Sequence, residues 1–349
     1  MIGGIGFCGN TLEKLTSMKA FILAGGFATR LWPLTESRPK PLLPLAGKPI
    51  LTHLVEKIPN NIPITVSTNA VFANAFHQWK SQLPISRSPH SPLTILIEDT
   101  RHDDHKLGAL GAVAQWIRDA KIDDDILLLT GDNYLGCSLE TFIQSAKPDT
   151  PLLAAHDIGD LERAKQFGTV LIEQTNKRTN EQTIHSVSSF EEKPHNPRST
   201  LVSTGCSLLP RSTLPILVEY AASHPDNVGG IFEEFLRQHI PIDTFLFHEP
   251  WFDIGSFDAY LEATTALVGK TVLTGEDSIL ENTQCSGSVV TGQCCTVRNS
   301  TLENVVLFDC CTIEDCDLRD CICDDACALK GIDLQKKMLR KGTKLIRED

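Results

Sequence analysis

KAFILAGGFATRLWPLTESRPKPLLPLAGK, residues 19–48, runs a short apolar strand, Ala20 to Leu23, directly into the glycine pair Gly25-Gly26. Paired glycines let a backbone approach a ligand closely and turn its amide N–H groups outward, which suits an anion such as a phosphate. The chain then offers Arg30 and Lys40 on a loop stiffened by Pro33, Pro39, Pro41 and Pro44. Arginine grips phosphate oxygens in pairs, and lysine acts as a movable point charge. The stretch is not a dinucleotide fingerprint, because the third glycine is missing and no helix opens directly after it. It is not a P-loop either, since no Gly-Lys-Ser/Thr follows.

Working outward, short apolar runs alternate with longer mixed ones. Strands are expected at residues 20–23, 64–68, 93–98 and 126–130, with helices at 52–57, 71–79 and 109–120. That alternation predicts an α/β domain with a mixed, mostly parallel sheet. Further strands at 152–155, 168–173, 184–190, 203–208 and 244–247 are expected to extend the same sheet and to wall a pocket. Ligands of such sheets bind at the carboxyl ends of strands, where Gly25-Gly26 lies.

A different pattern starts near Thr271. CTVRNSTLENVVLFDC from Cys295, CTIEDCDLRDCICDDA from Cys311 and CALKG from Cys327 begin sixteen residues apart, with Val297, Ile313 and Leu329 equivalent. Apolar pairs recurring between polar turns are the mark of a solenoid that stacks its inward side chains. Nine of the twelve cysteines fall here. The repeat explains Cys295, Cys311 and Cys327 as small apolar side chains, one per coil, more simply than a zinc site does. The basic stretch LQKKMLRKGTKLIR near the end is expected to form a helical cap or tail over residues 331–349.

The glycine-rich segment resembles the signature of the sugar-1-phosphate nucleotidylyltransferases, L-x-G-G-x-G-T-R-L-x-P-L-T-x-x-x-P-K-P, with Ala28 standing where that family usually has glycine. Four further segments match the family in order. Lys106 to Ala112 is similar to its L-G-T-A-G-A loop, Gly131-Asp132 to its G-D motif, Glu192-Lys193-Pro194 to its E-K-P motif, and Trp251-Phe252-Asp253-Ile254-Gly255 to its W-x-D-x-G segment. The solenoid resembles the left-handed parallel β-helix attached to many members. The implied fold is a Rossmann-like nucleotidyltransferase domain over 18–265 followed by a short β-helix over 271–330.

The resemblance implies transfer of a nucleotidyl group from a nucleoside triphosphate to a sugar 1-phosphate, with pyrophosphate leaving. Such chemistry needs positioning, charge neutralisation and a divalent cation rather than a protein nucleophile. It assigns the leaving group to Arg30 and Lys40, and Mg²⁺ to Asp132 and Asp253. The sugar phosphate goes to Lys193, the sugar to Glu192 and Gly205, and the nucleoside to Leu23, Gly25, Gly26 and Gly108. By themselves, a Gly-Asp after a strand is a turn former and Glu-Lys-Pro a common surface turn. The order of the five segments along the chain is what makes them specific.

Two alternatives are weaker. An acyl-transferring solenoid typically uses a histidine base, yet all eleven histidines lie at or before His248. A non-catalytic, sugar-nucleotide-binding regulatory homologue is favoured only by Ala28, whose Cβ would crowd a phosphate loop. The cluster His102-Asp103-Asp104-His105 reads as a solvated loop rather than a metal site. A net charge of −12 argues against nucleic-acid partners, and no apolar run reaches the roughly 18 residues of a membrane span. Residues 1–17 lack the basic start of a secretory signal and read as a dispensable extension; without such a signal, a reducing cytoplasm is the expected setting for so many thiols. Homo-oligomerisation stays open, since solenoids of the relatives often pack together.

Overall fold

The computed structural model describes residues 18–26, 29–83, 91–98, 107–173 and 184–347. Ala28, the His102–His105 cluster, Lys106 and the extension 1–17 lie outside the described residues. The chain forms two compact units: residues up to Gly25 with Leu54–Trp251, and Gly26–His53 with Phe252–Asp349. The glycine-rich loop beyond Gly25 therefore groups with the repeats, not with the sheet from which it emerges.

The first unit is built on a nine-stranded sheet. Its order is Leu93–Glu98, Ile64–Asn69, Met18–Leu23, Asp125–Thr130, Leu201–Leu209, Leu152–Asp157, Asp243–Phe247, Ile184–Glu192, Gly168–Ile172. The first four strands are mutually parallel. Leu201–Leu209 then enters antiparallel to Asp125–Thr130 and to Leu152–Asp157, and the rest is mixed. Ile126 to Leu129 are all buried, as a central strand covered on both faces requires. Helix Ala109–Asp119 turns Leu110, Val113, Ala114 and Ile117 inward, the spacing of one helical face, and Trp116 packs on Phe21 at 4.7 Å between ring centroids. Helices Leu214–Ser223 and Gly230–Arg237, not anticipated from the sequence, close the same core.

In the second unit the repeats form a β-helix of two parallel ladders. One stacks Val272–Thr274, Gln284–Thr291, Thr301–Leu307, Asp317–Cys323 and Asp333–Leu339; the other stacks Ile279–Glu281, Thr296–Arg298, Thr312–Glu314, Ala328–Lys330 and Lys344–Ile346. Each of the last four strands of the first ladder contains one residue at positive φ, namely Gly287, Asn304, Asp320 and Lys336. That residue bends the strand, so every such coil has three sides. Asparagine and aspartate tolerate this conformation best after glycine, and Asn304 donates to Asp320 Oδ1 on the next coil at 3.1 Å. Cys295, Cys311 and Cys327 are fully buried in one column. Burial also pushes the Cys316 and Cys321 thiols above their ordinary value, which keeps them protonated.

The helical cap expected over 331–349 is not found in the described residues of that range, 331–347. Residues Asp333–Leu339 and Lys344–Ile346 are strands that continue the two ladders, with Leu334 over Leu318, Met338 over Ile322 and Leu345 over Leu329. The sixteen-residue spacing persists beneath the basic side chains, and stacking on a preformed coil outweighs a weak helical pattern.

Candidate active site

Of the residues expected to form the site, Leu23, Gly25 and Asp132 lie at or just beyond the carboxyl ends of two neighbouring parallel strands, Met18–Leu23 and Asp125–Thr130. Leu23 aligns with Thr130 on one side and Ser67 on the other. Its carbonyl accepts the Gly131 N–H at 2.8 Å, and the Ala24 N–H donates to Ser67 O at 2.8 Å. Asn69, at the end of its strand, donates Nδ2 to Gly25 O at 3.0 Å. A Cβ on Gly25 would stand 3.2 Å from Glu98 Oε1, so glycine lets this turn pass close to the Glu98 carboxylate. Burial raises the pKa of Glu98 above its ordinary value, partly offset by the hydrogen bond donated by Ser67 Oγ at 2.6 Å.

Asp132 follows Gly131 just past the central strand. Asn133 donates Nδ2 to Asp132 Oδ1 at 2.9 Å and to Thr130 Oγ1 at 2.8 Å, and its Oδ1 accepts the Trp251 indole N–H at 2.9 Å. Gly205 sits at φ +72° beside Thr130, where any Cβ would overlap the threonine hydroxyl. Its strand loses register there, between Ser203 and Ser207. Leu23, Gly25, Asp132 and Gly205 are thus brought to one edge of the sheet.

Glu192 ends its strand, opposite Gly168. Its carboxylate fills space that a Cβ on Gly168 or Gly229 would need, and its backbone N–H donates to Glu233 Oε1 at 2.7 Å. Burial raises the Glu192 pKa, offset by Lys193, whose Nζ lies 3.6 Å from Glu192 Oε1. Lys193 takes φ 47° and leaves most of its side chain exposed, 65%. Gly108 has a structural duty: at φ +79° it passes the Pro225 carbonyl so closely that no Cβ fits, and that carbonyl accepts the Leu110 and Gly111 N–H groups at the helix start.

In the second unit, Lys40 opens the short 3₁₀ turn Lys40–Leu42 behind Pro39 and is buried. Its Nζ donates to Asp253 Oδ1 at 3.3 Å. Two residues separated by most of the chain, one expected to serve phosphate and the other a metal, therefore form an ion pair. Asp253 is further fixed by its turn, in which the Gly255 N–H donates to Asp253 O at 2.8 Å. Arg30, in the turn Thr29–Leu31, and Gly26 are exposed, and a Cβ added to Gly26 would meet nothing within 4 Å.

A profile described as "Nucleotidyl transferase" matches residues 19–269. The chain belongs to this nucleotidyl transferase family. Among its relatives is the bifunctional protein GlmU of Methanocaldococcus jannaschii, 26% identical over 284 residues, which make up 78% of this chain and 60% of that protein. The mannose-1-phosphate guanylyltransferase of Mycobacterium tuberculosis is 30% identical over 203 residues, 56% of this chain and 49% of that one. The chain thus spans about 60% of the length of its GlmU relative. A crystal structure of a Bacillus anthracis protein in complex with sucrose superposes with a TM-score of 0.58 at 21% identity. It covers 71% of this chain and 94% of that one and shares the fold.

The sequence reading missed Asn133, Asn69, Ser67 and Glu98. Each acts through contacts between separate strands or through a single side-chain bond, and no local motif marks such partners. The only available signal was position: Asn69, Glu98 and Asn133 all lie at or just beyond the carboxyl end of a predicted parallel strand.

Proposed function

We propose that this chain moves a nucleotidyl group from a nucleoside triphosphate to a sugar 1-phosphate, with Mg²⁺ as its cofactor. The observation that carries the reading is the shared carboxyl edge of the sheet, where Leu23, Gly25, Asp132 and Gly205 lie on adjoining strands. An oxygen of the sugar phosphate attacks the α-phosphorus, a new P–O bond forms, and the bond to the departing pyrophosphate breaks. In this scheme Lys193 meets the sugar phosphate, while Glu192 and Gly205 border the sugar. Arg30 and Lys40 neutralise the pyrophosphate, with Lys40 held in place by Asp253 until phosphate draws it away. Leu23, Gly25, Gly26 and Gly108 lie along the nucleoside side.

Asp132 and Asp253 suit Mg²⁺, a hard cation that takes one or two carboxylates and completes its shell with phosphate oxygens and water. Among the described residues no group of three or more His, Cys, Asp or Glu side chains is arranged to hold a metal. When bound, Mg²⁺ would supply charge neutralisation at the reacting phosphates.

The nucleotide and the sugar are to be found by assay. A matrix of nucleoside triphosphates against sugar 1-phosphates, read by pyrophosphate release, should reveal at least one productive pair that requires Mg²⁺. Asp132→Asn should lower that turnover by about a hundredfold or more at an unchanged melting temperature. Silence across the whole matrix, or a fully active Asp132→Asn protein, would sink the reading.

A further inference from the structure

We propose that the β-helix holds the loop carrying Arg30 and Lys40 in its working shape, with Arg38 and Asp325 as the positioning pair. The proposal rests on the function proposed above, and every contact it uses lies within the second unit.

Three consecutive coils present the same corner to the loop. Phe308, Asp324-Asp325 and Arg340-Lys341 each follow a long strand, and each position lies sixteen residues beyond its counterpart. The corners are tied in register, since the Phe308 N–H donates to Cys323 O at 2.8 Å and the Asp324 N–H to Leu339 O at 3.1 Å. Against the first two coils sits Arg38. Its Nη2 donates to Asp325 Oδ2 at 2.6 Å, and its guanidinium lies 5.3 Å over the Phe308 ring. Only 14% of the Asp325 side chain is exposed, and Lys341 Nζ approaches the same carboxylate at 3.1 Å. The third coil takes hold further upstream: Arg340 lies 5.3 Å over the Trp32 ring and donates to Glu36 Oε1 at 3.3 Å. Downstream, the buried Tyr260 hydroxyl donates to Pro44 O, and its ring packs against Phe308.

The loop is thus anchored before, beside and after Lys40. Arg38 is separated from Lys40 only by Pro39, whose ring fixes φ, so a shift of Arg38 is passed on to Lys40 with little slack. A planar guanidinium that both stacks on an aromatic ring and meets a carboxylate fixes direction as well as charge. An exposed ion pair would add little. This one is mostly buried, and its value lies in alignment, because small misplacements of a reacting group slow catalysis steeply.

The test compares Asp325→Asn, Arg38→Ala, Arg38→Lys and the Asp325→Asn/Arg38→Ala double variant of the full chain. On the wild type's productive substrate pair, Asp325→Asn and Arg38→Ala should each lower kcat about tenfold. The KM for sugar 1-phosphate should stay near the wild-type value. The double variant should be no worse than the poorer single one, because both remove one shared interaction. Arg38→Lys should recover part of the loss by restoring the charge without the ring contact. Additive losses, or a wild-type kcat in Asp325→Asn, would overturn the proposal. Amide hydrogen exchange separates this outcome from a failure of the function reading, since it needs no turnover. Exchange across residues 40–45 should quicken in Asp325→Asn, and unchanged exchange there would refute the clamp even if no substrate pair is ever found.

Discussion

Asn133 grips Asp132 from the next position in the chain, donating Nδ2 to Asp132 Oδ1 at 2.9 Å while its own Oδ1 holds the Trp251 indole N–H at 2.9 Å. Asn133 is itself buried. A carboxylate at a sheet edge can swing about its side-chain bonds. One tied by a buried amide presents its remaining oxygen in a fixed direction, as partners behind a metal ligand commonly do. Asn133→Asp keeps an acceptor for Trp251 but removes both N–H donors and places a second negative charge beside Asp132. Its apparent Mg²⁺ affinity in the pyrophosphate-release assay should fall by about 10- to 100-fold, with a smaller change in melting temperature. An unaltered Mg²⁺ titration would show that Asn133 supports the fold and not the carboxylate.

Glu98 gives a prediction in pH. Burial raises its pKa in the folded chain above the ordinary 4.5, with the Ser67 hydrogen bond opposing. The folded state therefore favours the protonated acid more than the unfolded state does. The corresponding stability is fully present below pH 4.5 and is lost as pH rises through the folded pKa. Glu98→Gln mimics the protonated group at every pH. Its melting temperature should exceed that of the wild type at pH 7 and converge with it as pH falls toward 4. Parallel melting curves across that range would mean that ionised Glu98 is not penalised. Because Gly25 runs beside this carboxylate, the same titration also changes the charge next to the glycine turn.

Much of this arrangement could be read in the chain itself, and what could not has physical reasons. ILLLT from Ile126 to Thr130 is apolar on both faces, so its place in a covered sheet follows from composition alone. Helix Ala109–Asp119 follows from the spacing of Leu110, Val113, Ala114 and Ile117, and the coils follow from Val297, Ile313 and Leu329 recurring every sixteen residues. The bond between Asn133 and Trp251 spans 118 positions, and nothing local announces it. Likewise the bond between Arg38, in residues 26–53, and Asp325, in the coils, joins positions 287 apart. The final coil was hidden for a different reason. Lysines at 336, 337, 341 and 344 dilute its apolar pattern, and only the register with the preceding coil exposes it.

That register supplies the last prediction. Leu302, Leu318 and Leu334 stand in one column, with Leu318 fully buried between its neighbours and Leu334 half-buried at the end. Removing a fully buried leucine side chain strips its transfer energy and leaves a cavity, so Leu318→Ala should destabilise the chain by about 2–5 kcal/mol. Leu334→Ala removes the same atoms where solvent and side chains can close in, and it should lose well under half as much. In a solenoid each coil rests mainly on its neighbours. Leu334→Ala should therefore loosen the last two coils, measurable as faster amide exchange over residues 333–346, while residues 284–307 keep their protection. A helical cap would respond differently: alanine is a better helix former than leucine, so the substitution would leave exchange over 333–346 unchanged or slower. Equal losses at the two positions would show that the column is not graded from centre to end.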